Sequence, residues 1–243
     1  VLVLFIAMVC AIACTTTETI LDFNLVEGSI NKLDSAYVIF QEQAYRFPLD
    51  AQGKGTLKMN IKEDGFAILV YGKLSTNIYL KQGNTLKVIW DKEDWRGGKM
   101  QVVSDDGGIN EYIRLNIEKS FKKATECSFT LEEDSFMDKV EQTIRELSAG
   151  IDSTNFAPEI KDILKASSKY EVLYWIYKYP RFHNFGKRMS QEEYLAFKRF
   201  NEYMFDKFEA HPEYLCLTAY REYAVNWFYE LMQLRCFGEP YIL

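Results

Sequence analysis

The chain has 243 residues, of which 48% are hydrophobic and 26% charged, with only 5 prolines and 13 glycines. These globular proportions exclude disordered, collagen-like and coiled-coil classes, and the length suffices for one or two domains with a buried core. Net charge is −6, which gives no bulk attraction for a polyphosphate backbone and disfavours a nucleic-acid role. The charge is unevenly placed: residues 20–105 carry 11 basic and 11 acidic side chains, whereas 106–243 are net acidic.

Val1 to Ala13 form an uncharged apolar run that gives way to Cys14-Thr15-Thr16-Thr17-Glu18. Thirteen apolar residues are too few to cross roughly 30 Å of hydrocarbon, but they match the apolar region of a secretory signal. Ala11-Ile12-Ala13-Cys14 resembles a bacterial lipobox, whose cysteine becomes the lipidated first residue. The expectation is a signal peptide and tether over 1–18. Cys14 would carry the lipid, Cys10 would be removed, and Thr15 would favour outer-membrane sorting. The protein would then be an anchored lipoprotein facing an oxidising periplasm. The start of the given sequence lacks the basic region and initiating Met of such a signal and reads as truncated. The competing reading of the run is a buried apolar strand or helix.

From Thr19 to about 105 the apolar pattern has period two. Ala36, Val38 and Phe40 alternate with Tyr37, Ile39 and Gln41; Leu57, Met59 and Ile61 alternate with lysines and Asn60. Segments 66–71, 77–80, 86–90 and 100–103 continue the series, separated by turns at 50–53, 63–65, 82–84 and Gly97-Gly98. Strands about ten residues apart with glycine-bearing turns predict an antiparallel β-sandwich or partial barrel of six to eight strands.

After Asp105-Asp106-Gly107-Gly108 the period becomes 3.6. Ile109, Tyr112, Ile113, Ile117 and Phe121 form a helical stripe. Thr130-Leu131-Glu132-Glu133 reads as a capping box opening a helix with Phe136, Val140, Ile144 and Leu147 on one side. Pro158 suits the first turn of the next helix, which should run to Tyr179 because Pro180 cannot continue it. Ser190-Gln191-Glu192-Glu193 is a second capping box, opening a helix through Tyr194, Phe197, Asn201, Met204 and Phe208. Pro212 should open a last helix through Tyr220, Tyr223, Trp227 and Leu231. The fold expected is α+β: an antiparallel β-sandwich over 19–105, followed by an all-α domain over 106–243 that is truncated at its C-terminal end.

Aromatics crowd residues 170–229, 19 in 60. Most fall at core spacing. Tyr177, Tyr179, Phe182 and Phe185 are less regular, and are the ligand-binding candidates as exposed rings. The thiols Cys127, Cys216 and Cys236 show no Cys-x-x-Cys spacing, and Cys216 and Cys236 on one helix would sit about 30 Å apart, too far for a disulfide. They read as small buried hydrophobes. Only His183 and His211 could serve as imidazole ligands, so no metal site and no cofactor are expected. No nucleophile elbow, P-loop or dinucleotide fingerprint is present, so no catalytic residue is assigned. The acidic pairs 132–134 and 192–193 are explained by favourable charge at helix N-termini.

Tyr79-Leu80-Lys81-Gln82-Gly83-Asn84-Thr85-Leu86-Lys87-Val88 resembles the Leu-x-Pro-Gly-Asp-x-Leu-x-Ile hairpin of the non-catalytic N-terminal region of TlpA-like thiol-disulfide oxidoreductase lipoproteins from Gram-negative gut anaerobes. Phe47 to Gly53 is similar to an earlier strand and turn of that family. Asp106 to Ile113 is similar to its Gly-x-x-x-Asn-x-Tyr-Leu entry into a helical segment, and Glu213 to Tyr223 to a later helix. Gln82 and Asn84 replace the family's proline and aspartate. The family's thioredoxin-like domain, with its Trp-Cys-x-x-Cys, lies C-terminal to such a region and is not in this sequence, so no catalytic residue carries over.

The resemblance implies an accessory region that positions or dimerises an envelope redox domain, with the membrane anchor, a thioredoxin-like domain or protein and a second copy as partners. The alternative is a stand-alone outer-membrane lipoprotein binding glycan or peptide through exposed aromatics. A hydrolase is the weakest of the three readings.

Overall fold

A computed structural model describes residues 18–26, 33–91, 100–183, 190–206 and 209–232. The expected turn at Gly97-Gly98 lies outside them, as do Cys10, Cys14, Cys236, Phe185 and Phe208.

Among the described residues eight strands form two four-stranded sheets, and helices follow, so the chain is α+β. The strands are β1 (Thr19–Val26), β2 (Ser35–Phe40), β3 (Gln43–Pro48), β4 (Lys54–Met59), β5 (Gly65–Tyr71), β6 (Leu74–Leu80), β7 (Thr85–Asp91) and β8 (Gln101–Val103). One sheet has the order β4-β1-β7-β8, the other β3-β2-β5-β6. Period-two burial is clear in β1, where every second residue from Thr19 is buried. One pairing departs from the antiparallel expectation. β1 runs parallel to β7, from Ile20 opposite Thr85 to Val26 opposite Asp91, because the chain crosses between the two sheets before β7 returns. The faces between the sheets are filled by Leu21, Phe23, Val38, Phe47, Leu69, Ile78, Leu80, Val88 and Trp90. Phe23 packs edge-on against both Phe47 and Trp90, at centroid distances of 6.0 and 6.4 Å.

The β2–β3 hairpin turns through Gln41 and Glu42, both at positive φ (47° and 64°). Such two-residue turns favour Asn-Gly because both residues are left-handed. Here the arrangement is held in part by the Gln41 amide, which donates to the Glu63 carboxylate at 2.6 Å.

The helices are α1 (Ile109–Thr125), α2 (Glu133–Asp152), α3 (Pro158–Ile176), α4 (Tyr179–His183), α5 (Gln191–Leu195), α6 (Lys198–Asn201) and α7 (Thr218–Met232). A π-helical turn spans Glu202–Asp206 and a 3-10 turn Pro212–Cys216. α1, α2, α3 and α7 surround a core that includes Phe136, Met137, Val140, Leu147, Tyr170, Leu173, Ile176 and Tyr223.

Several helix boundaries differ from expectation for identifiable reasons. Thr130 does not cap α2; the N-cap is Glu132, without a side-chain bond. Glu133 instead accepts the backbone N–H of Phe200 at 2.8 Å, a tertiary use that the local motif does not reveal. α3 begins at Pro158 as expected but stops at Ile176. The Pro180 ring would meet the carbonyl of the residue four positions earlier, which is Ile176. The Ser190 capping box is present in full: Ser190 Oγ accepts from Glu193 N at 3.2 Å and the Glu193 carboxylate accepts from Ser190 N at 2.7 Å. Its helix nevertheless breaks into α5, α6 and the π turn. Pro212 opens a 3-10 turn rather than α7, and the break at Leu217 is extended (φ −104°, ψ 125°).

The helices are built onto the outer face and free edge of β6. From Thr76 to Leu80 every residue of β6 is buried. Ile78 and Leu80 face the sandwich core, while Tyr79 joins Phe66, Ile109, Ile113 and Leu164 in a second apolar cluster under α1. Two buried asparagines make the polar joints. Asn110 on α1 accepts from Tyr79 N at 2.8 Å and donates to Tyr79 O at 2.7 Å, pairing with the strand edge as another strand would. Asn77 donates to Cys216 O at 2.7 Å and accepts from Thr218 N at 3.1 Å, taking up both backbone groups at the Leu217 break. An edge strand covered in this way offers no template for pairing with another chain.

Candidate functional site

The residues carrying the family resemblance have structural employment. Gly107 and Gly108 both adopt positive φ (74° and 85°). This turn sets Asp106 so that its carboxylate accepts from the N–H groups of Gly108 and Ile109 at 2.9 Å and of Asn110 at 3.3 Å. Three of the four donors left open at a helix start are thereby satisfied. Asn110 also donates to Asp106, which fixes its amide toward Tyr79. Gly83 (φ 74°) gives the β6–β7 turn its shape and donates its N–H to Thr19 Oγ1 at 3.0 Å. Asn84 donates to Asp105 O, tying the turn to the segment that enters α1.

The four ring candidates do not form one surface. Tyr179 was expected to be exposed and is instead fully buried. Its ring stacks on Phe136 at 3.8 Å and its hydroxyl donates to Leu131 O at 2.8 Å; a residue just ahead of Pro180 is drawn inward once α3 has ended. Tyr177 is half-buried against the helical core, and burial pushes its phenol up. Phe182 is exposed, stacked on Phe129 at 5.6 Å. Phe185 lies outside the described residues, as does the lipidation candidate Cys14.

Cys127 is buried and burial pushes its thiol up. Cys216 is half-buried, its sulfur 3.4 Å from Glu213 O, and burial raises its thiol too. Both shifts oppose the thiolate that exchange chemistry requires. Among the described residues no group of three or more His, Cys, Asp or Glu is placed to hold a metal ion, and no helix is long and apolar enough to cross a membrane.

Among the described residues, a concave feature lies around His211. Two clefts, of about 200 and 400 Å³, meet at Lys169, Tyr170 and His211. α3 supplies Asp162, Lys165, Ala166, Lys169, Tyr170 and Leu173, which helical spacing puts on one face. α2 adds Ile144 and Ser148, the π turn Tyr203, the 3-10 segment His211 and Tyr214, and α7 Tyr223.

An aromatic layer fixes these groups from behind. Tyr220 packs edge-on against Tyr170 at 4.7 Å and accepts the backbone N–H of His211 at 2.8 Å. Tyr223 lies 5.3 Å from Tyr170 and donates to Met204 O at 3.0 Å. On the cleft side, the His211 and Tyr214 rings are 5.0 Å apart and tilted by 34°. His211 Nδ1 is 2.9 Å from the Glu213 carboxylate. That contact and the backbone N–H of Glu213 hold the Glu213 carboxyl below its ordinary range, the backbone bond being the larger cause. The Lys169 ammonium sits 5.5 Å above the Tyr170 ring. Burial pushes the phenols of Tyr170, Tyr203, Tyr214 and Tyr223 upward, so all four remain neutral hydroxyls at physiological pH. The aromatic crowding of 170–229 was legible in the sequence; that Tyr170 and Tyr214 converge with His211 was not, since they come from separate segments.

A second buried polar group closes the other end of α7. Arg181 on α4 donates to both oxygens of Glu230 at 2.8 and 2.9 Å. Glu230 is 4% exposed, and burial raises its carboxyl despite the opposing pull of Arg181.

Comparison with family models, with curated proteins and with solved structures finds no match for this chain.

Proposed function

We propose that this chain is the non-catalytic scaffold of an envelope thiol-disulfide oxidoreductase, a lipid-anchored region that positions or dimerises a thioredoxin-like domain bearing the reactive thiols. The observation that carries the reading is where the family-like residues sit. Asn84, Asp106 and Asn110 are spent on joining the sandwich to the helices or on starting the first helix, and Gly83 ties the β6–β7 turn to β1 through Thr19. They serve as structural joints rather than as a reactive site. The buried Cys127 thiol and the half-buried Cys216 thiol, both pushed up by burial, agree with a body that leaves exchange chemistry to another domain.

Two experiments test this. In an insulin-reduction assay this chain gives no turnover above the dithiothreitol background; sustained turnover refutes the scaffold role. Photo-crosslinking residues placed in cells at exposed positions 103, 115, 195, 225 and 228 should capture a domain containing Trp-Cys-x-x-Cys, on the same chain or another. Capture confined to proteins without that motif contradicts the reading.

A further inference from the structure

We propose that the trough around His211 binds a neutral carbohydrate, a short oligosaccharide lying between the Tyr214–His211 ring pair and the polar face of α3. The larger cleft, about 400 Å³, falls within the range of pockets that hold small ligands. The joint lining of the two clefts combines two kinds of group that a sugar ring needs together. Aromatic faces carry negative quadrupole charge, which attracts the polarised C–H face of a pyranose. Hydroxyls need donors and acceptors in the same plane, and Lys169, Asp162, Ser148, Glu209 and His211 supply both.

Charge balance argues against an ionic ligand. Two ammonium groups, Lys165 and Lys169, are matched by two carboxylates, Asp162 and Glu209. Lys165 is further engaged by Asp152 and His211 by Glu213. An anion would find no surplus of cations, and among the described residues no three His, Cys, Asp or Glu side chains converge to hold a metal cation. A peptide held as an added strand is disfavoured because helices and turns build the cleft, and no strand edge borders it. The site is also pre-set: Tyr220 holds the His211 backbone, and Tyr170 is clamped between Tyr220 and Tyr223, so little ordering remains to oppose binding. The inference stands apart from the scaffold reading, since the trough shares no residue with the β6 junction.

The test is saturation-transfer NMR of the chain with a panel of neutral trisaccharides (maltotriose, cellotriose, laminaritriose, xylotriose, mannotriose and chitotriose), followed by calorimetry. Trialanine and inorganic phosphate are run alongside. At least one trisaccharide should bind with a Kd of about 1 mM or tighter. Tyr214→Ala and Glu209→Gln should each weaken it about tenfold or more, and Phe182→Ala should leave it unchanged. The Glu209 side chain is 83% exposed, so Glu209→Gln reads the site without unfolding the chain. Absence of binding by the whole trisaccharide panel at 10-fold higher concentration, binding of trialanine or phosphate alone, or sugar binding that survives both site variants would overturn the proposal.

Discussion

Replacing Asn110 by Ala should loosen the attachment of the helices to the sheet. The Asn110 amide is 3% exposed and makes two bonds to the Tyr79 backbone, at 2.8 and 2.7 Å. Each such bond contributes about 1 kcal/mol net, and a buried backbone group left unpaired costs about 1–3 kcal/mol. Tyr79 is itself 8% exposed, so water reaches its N–H and C=O poorly once the amide is gone. Loss of both bonds therefore destabilises by about 3–4 kcal/mol. Asn110→Asp is the sharper companion. Its carboxylate can accept from Tyr79 N–H but cannot donate to Tyr79 O, and it sits against Asp106; it should cost at least as much as Ala. Urea unfolding followed by circular dichroism reads both variants. The midpoint should fall in each, and a reduced slope would mean that the two parts have begun to unfold separately. A loss under about 0.5 kcal/mol for Asn110→Ala, the size of an ordinary surface change, would show that the amide pairing does not hold the junction.

Tyr179→Ala should cost about 3–5 kcal/mol, as for a large core aromatic, whereas Phe182→Ala should stay within about 1 kcal/mol because its ring is half in solvent; equal effects in chemical denaturation would contradict the burial assigned to Tyr179. Arg181→Met leaves Glu230 as a lone buried carboxylate, at about 3–5 kcal/mol near neutral pH. The folded-state carboxyl of Glu230 already lies above its unfolded value, and losing Arg181 raises it further. The unfolded chain then ionises first, so stability is lost as pH rises toward neutrality and recovered as pH falls toward the acid range. Urea midpoints at pH 5 and pH 8 test this, and a deficit independent of pH would refute it. Glu42→Gly relieves one left-handed residue in the β2–β3 turn and should raise stability by about 1 kcal/mol; a fall in melting temperature would show that Glu42 makes a compensating contact.

Much of the fold was legible because its signals are local. Alternation in 19–26 and 35–40 marks half-buried strands, the glycines at 53 and 83 mark turns, and the Ser190 box closes within four residues. Failures came where distant segments decide. Nothing near β7 tells that it lies parallel to β1. The unbroken apolar character of 66–71 is physically informative in retrospect: β5 and β6 are covered on both faces, once by the other sheet and once by helices. Glu133 matched a capping box and was instead claimed by Phe200, 67 residues away. The helix expected after Pro212 is interrupted at Leu217, where Asn77, from the β-sheet, bonds the groups on both sides. The same limit hid the His211 trough. Its tyrosines read as core spacing, which Tyr170 and Tyr223 satisfy, and only the three-dimensional meeting of α3 with the 3-10 segment turns them into a lining.

The scaffold reading requires the sandwich and the helices to behave as one body. Tryptophan probes fall on both sides: Trp90 is in the sandwich core and Trp175 packs against the helical core. With 5-fluorotryptophan incorporated, fluorine NMR through a urea titration follows each residue separately. One shared midpoint for Trp90 and Trp175 is the expected result. Two resolved midpoints, with either region persisting after the other has melted, would contradict it.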